Sequence, residues 1–130
     1  MTRRFAWIVA AALLAVVTWS RAASQFDFGR WMRTIDQRSV SVQRHLAARE
    51  ADAARADARE LTQLYAQMER YFERELPAAD AAQMSRDGRR QADAIHALLD
   101  AGDFDAAAGE ARALARACND CHDPYKPFSR

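Results

Sequence analysis

A repeated spacing constrains this chain more than anything else in it. Four stretches place apolar or small residues at alternating steps of three and four, which keeps one stripe of a helix turned toward its neighbours. The first, roughly Phe26 to Ala48, carries Phe28, Met32, Ile35, Ser39, Val42 and Leu46. The second, roughly Asp52 to Glu75, carries Ala54, Ala58, Leu61, Tyr65, Met68 and Phe72, with Leu64 and Tyr71 widening the stripe. The third, roughly Ala79 to Leu99, carries Ala81, Met84, Gly88, Ala92, Ile95 and Leu99. The fourth, roughly Phe104 to Asp123, carries Phe104, Ala107, Ala111, Leu114, Cys118 and Cys121. With only 4 Gly and 3 Pro in 130 residues, little turn chemistry is left for a many-stranded β fold. The breakers fall between stripes. Pro77 separates the second from the third, and Pro124 and Pro127 stop the fourth. Gly102 suits a helix C-cap and Asp103 an N-cap. The stretch 47–52 holds neither Gly nor Pro, so periodicity alone puts a turn there. Gly88 stands inside a stripe, which marks a weak point or a place where something large comes close. Three short connections between helices of similar length imply an all-α, antiparallel up-down-up-down four-helix bundle of one domain.

The N-terminus has a different character. Arg3 and Arg4 precede an uncharged apolar run from Phe5 to Trp19, followed by Ser20-Arg21-Ala22-Ala23. This is the pattern of a secretory signal peptide, residues 1–22, cut after Ala22. The run is shorter than a comfortable bilayer span, so a retained anchor is the weaker reading and stable membrane insertion is not expected. Removing the three Arg of this segment takes the formal charge from +1 to −2 and leaves residues 23–130 as the exported domain. Neither charge makes a case for nucleic-acid binding.

Export changes how the two cysteines read. Cys118 and Cys121 are followed at once by His122. A disulfide framework needs more cysteines, and a zinc site would have only His45 and His96 left to complete it. A thioredoxin-like Cys-x-x-Cys opens a helix after a strand, whereas this one closes a helical segment. Cys-x-x-Cys-His is the attachment sequence of one covalent haem c. Two thiols add to the two vinyl groups of a porphyrin, and the adjacent imidazole reaches the iron as proximal ligand. A plain disulfide between the two thiols in a haem-free bundle is the alternative.

The topology also bears on the sixth iron ligand. The start of the first helix, the end of the second and the start of the third share an end of the bundle with the finish of the fourth. Met32, Met68 and Met84 therefore fall at the cysteine end. His45 is 13 residues beyond Met32, about 20 Å along the helix. It falls at the far end with His96, so both read as surface or interhelical residues. Met32 is the candidate distal ligand and Met84 the next. The competing readings are core packing against an open haem face and a different ligand. Trp31, Ile35, Met68, Tyr71 and Phe72 are candidate apolar walls. No catalytic nucleophile or hydrolytic pair stands out, and the many Asp and Glu residues read as solvated helix faces.

An exported four-helix chain ending in Cys118-Asn119-Asp120-Cys121-His122-Asp123-Pro124-Tyr125-Lys126 resembles the class II c-type cytochromes, the cytochrome c′ family. There the haem motif closes the fourth helix and continues His-x-x-Tyr-basic. The resemblance puts Tyr125 and Lys126 in the haem surroundings, Lys standing where Arg is usual. Met32-Arg33 resembles the low-spin, Met-ligated members, which carry electrons. Members with an apolar distal residue are five-coordinate and bind NO or CO. Phe28 stands one turn before Met32, where the family often has an Arg that meets a haem propionate, so Arg30 or Arg33 would serve, beside Trp31. The resemblance implies an electron carrier rather than an enzyme, periplasmic redox proteins as partners, and a homodimer through the first two helices as one assembly.

Overall fold

A computed structural model describes residues 26–125, with side chains as far as Cys121. The described residues form four helices and no strand: α1 (26–47), α2 (Ala51–Arg74), α3 (Ala79–Asp100) and α4 (Phe104–Tyr125). Their bounds lie within two residues of those the stripes predict. Among the described residues no helix is long and apolar enough to cross a membrane. The expected signal segment 1–22 and Lys126 lie outside the described residues.

Cross-helix pairs fix the directions. Phe28 at the start of α1 meets Tyr71 and Phe72 at the end of α2, while His45 near the end of α1 bonds Asp57 near the start of α2. Arg55, Thr62 and Glu73 of α2 meet Asp100, Asp93 and Arg86 of α3, again in reverse order. Arg49, just before α2, lies over Phe104 at the start of α4, and Tyr65 further along α2 reaches Cys118 late in α4, so these two run parallel. Every sequential pair tested this way is antiparallel, as three short connections demand.

The same cap closes α1 and α3. After α1, the Arg49 amide donates to Leu46 O and the Glu50 amide to His45 O, at 3.1 and 2.9 Å. After α3, Gly102 and Asp103 donate to Leu99 O and Leu98 O, at 3.1 and 2.9 Å. These are Schellman motifs, whose turning residue takes a left-handed φ. Gly102 does so at 77° without steric cost, and Arg49 does so at 57° despite its Cβ. The Arg49 guanidinium lies 5.3 Å over the Phe104 ring, which offsets part of that cost. Composition gave no sign of this turn. Asp103 then caps α4, its carboxylate accepting from the Ala106 amide at 3.0 Å.

The core follows the stripes. Val42, Leu61, Ile95, Leu99 and Leu114 are its largest fully buried side chains. Ser85 is buried beside Met84, its hydroxyl donating to Ala81 O at 2.8 Å. Asp57 departs from the reading of the acids as solvated. Its side chain is 4% exposed and accepts from Arg38 Nη1 at 3.1 Å, with His45 Nδ1 at 2.8 Å. A buried carboxylate persists when it is paired and hydrogen-bonded, and α1 supplies both partners.

Candidate functional site

At the end of the bundle where α4 finishes, the four helices do not close on one another. They leave a mainly apolar cavity of about 250 Å³. Met32, Ile35 and Asp36 line it from α1, and Tyr65 and Met68 from α2. Met84, Ser85, Asp87 and Gly88 line it from α3, and Ala117, Cys118, Asp120 and Cys121 from α4. Every Met and Cys of the sequence other than Met1 is in that lining. The heptad stripes bring them together, because each lies on the inward face of its helix near the same end of the bundle.

Cys118 and Cys121 are half-buried free thiols one turn apart on the inner face of α4. Burial pushes the Cys121 thiol above its usual range, with Cys118 and Asp80 adding to the shift, so it stays protonated at neutral pH. The Tyr65 hydroxyl shares a 3.5 Å hydrogen bond with the Cys118 thiol. Burial, then the neighbouring Cys118, pushes the Tyr65 phenol far above its ordinary value, so it is neutral too. The Tyr65 ring lies against Gly88, where a Cβ would fall 2.5 Å from Cε1. That is the close approach the lone glycine signalled.

The other candidates are placed as follows. His122 comes next after Cys121 on the last turns of α4. Its side chain and that of Tyr125 lie outside the described residues, as does Lys126. Trp31 is not among the described lining residues. It meets Tyr71 edge-on at 6.4 Å, and Tyr71 and Phe72 pack with Phe28 in an aromatic cluster beside the cavity. Ile35 and Met68 do line it. Arg30 is exposed and paired with Asp27 at 2.8 Å, and Arg33 is exposed. His45 and His96 are at the far end. His45 bonds Asp57, while His96 Nδ1 lies 3.2 Å from Asp100 and His96 Nε2 accepts from Arg59 Nε at 3.2 Å. Among the described residues no group of three His, Cys, Asp or Glu could hold a metal ion. Sequence reasoning took Tyr65 as ordinary stripe and missed its bond to Cys118. It also missed the three carboxylates of Asp36, Asp87 and Asp120 around the cavity.

No protein family, no curated protein and no solved structure matches the chain.

Proposed function

We propose that the chain is an exported monohaem c-type cytochrome that carries electrons, closer to the low-spin, Met-ligated class II cytochromes than to the open-faced cytochromes c′. One observation carries this reading. Cys118, Cys121 and Met32 converge on one apolar cavity at the end where the Cys-x-x-Cys-His sequence closes α4. The residues fit the group. Two thiols share a helix face and the walls are largely hydrocarbon, with the neutral Tyr65 and Ser85 and the three carboxylates of Asp36, Asp87 and Asp120 as the remaining polar lining. At about 250 Å³ the cavity is below the roughly 300–1,000 Å³ usual for a ligand site, so it would enclose only part of a haem.

Cys118 and Cys121 would hold the haem through thioethers, and His122 would give the proximal nitrogen. Bound there, the haem supplies a one-electron couple. Met32 offers a soft thioether that favours the ferrous state, and Ile35 and Met68 exclude water, which pushes the same way. Arg30 is engaged by Asp27, so Arg33 is the better candidate for a propionate. Export through segment 1–22 would put the protein in the periplasm, where redox proteins would be its partners.

One spectrum tests this. The expected result is a haem stain that survives SDS, a low-spin ferric spectrum with a Met-to-iron charge-transfer band, and a ferrous form indifferent to CO. A chain that takes no covalent haem when expressed with a haem-attachment system would falsify the reading. A high-spin ferrous form that binds CO at once would replace the electron carrier with the five-coordinate gas binder. Met32→Ala is expected to turn the low-spin protein into a high-spin, CO-binding one. An unchanged spectrum in that variant would reduce Met32 to packing and send the search to Met84.

A further inference from the structure

We infer that Tyr65 is a positioning residue for haem attachment, holding the Cys118 thiol toward the cavity, and that Gly88 holds Tyr65. This rests on the covalent-haem reading above. Three observations meet at one spot. The Tyr65 hydroxyl is 3.5 Å from Cys118 Sγ. Both residues line the cavity. The Tyr65 ring occupies the space a side chain at position 88 would need, with Cε1, Cδ1 and Cζ at 2.5, 2.7 and 2.7 Å from a Cβ built there.

Attachment is an addition. The Cys118 S–H adds across a vinyl C=C, the sulfur bonding one carbon and the proton ending on the other, with no net oxidation. Such a step depends on where the thiol points when the vinyl group arrives. A cysteine near the end of a helix has rotamers toward the cavity and away from it. The hydroxyl selects among them through a hydrogen bond to sulfur, and the glycine notch keeps the ring from swinging off. Cys121 has no such partner among the described residues, so the hold acts on one thiol of the pair.

The test uses the full chain in two states. Before haem attachment and under reducing conditions, alkylation of each thiol is followed by peptide mass spectrometry. Tyr65→Phe keeps the ring and its packing and removes only the hydroxyl. It is expected to raise the Cys118 alkylation rate about 2- to 10-fold, the range set by one hydrogen bond, with Cys121 changing less. After attachment, the same variant is expected to contain chains with a single thioether and a free Cys118. Gly88→Ala, which displaces the ring, is expected to do the same. If it unfolds, Tyr65→Phe still decides. An unchanged Cys118 to Cys121 alkylation ratio in Tyr65→Phe overturns the inference and makes Tyr65 a packing residue. Absence of haem from the unaltered chain would sink the covalent-haem reading instead, while the alkylation arm would still report whether Tyr65 holds Cys118.

Discussion

The two ends of this bundle are built to different rules. At the end where α1 turns into α2 and α3 into α4, the interior is filled by Val42, Leu46, Ile95 and Leu99, each at most 3% exposed. Two Schellman caps close that end, and Asp57 ties α1 to α2 through Arg38 and His45. At the cysteine end, α2 and α3 are also tied, by Arg86 to Glu73 at 3.0 Å and Arg89 to Glu69 at 3.2 Å. The difference is inside. Branched aliphatic side chains give way to three methionines, two thiols and a cavity of about 250 Å³. A chain this small has little core to spare, so an unfilled end stands apart from the close packing of the rest.

That contrast can be broken by truncating side chains at each end. Leu99→Ala at the closed end is expected to cost about 2–5 kcal/mol, seen as a fall in Tm of roughly 10 °C or more. Met84→Ala at the open end, half-buried against existing space, is expected to cost about 1 kcal/mol or less. Equal losses in thermal melts would show that both ends are packed alike. Asp57→Ala leaves Arg38 and His45 without their buried partner and is expected to cost about 2–4 kcal/mol by denaturant titration. A loss no larger than for a typical surface change would mean that the closed end is held by its aliphatic core alone. The smallest effect tests the caps. No heavy atom lies within 4 Å of a Cβ built at Gly102, so Gly102→Ala meets only the backbone penalty of its φ of 77°. A loss of about 1 kcal/mol is expected. Arg49→Gly removes the same penalty but also the guanidinium over Phe104, so a gain of about 0.5 kcal/mol or less is expected.

The four helices were readable because each stripe repeats with the helix period, and that repeat also put Met32, Cys118 and Cys121 near one end. The first turn was readable only from the break between two stripes, not from any turn residue. Its left-handed residue is Arg49, and the contact with Phe104 that offsets part of the cost is tertiary and leaves no local signal. Asp57 looked like any other acid of a charged helix. Its burial depends on Arg38 and His45 reaching across from α1, which no spacing within α2 records. The aromatic residues were readable as core but not as to which core. Trp31, Tyr71 and Phe72 went to a cluster around Phe28 rather than to the cavity wall. Gly88 announced a close approach without naming Tyr65, because which side chain fills a notch is decided by the register between two helices.

The fit of Tyr65 into Gly88 has a consequence for how sequences related to this one can vary. Any other residue at 88 adds an atom where the ring already stands, so the two positions cannot drift independently. Homologues with alanine or larger at 88 are expected to carry something smaller than tyrosine at 65, and those that keep the tyrosine are expected to keep the glycine. Position 88 is thus inherited as half of a pair.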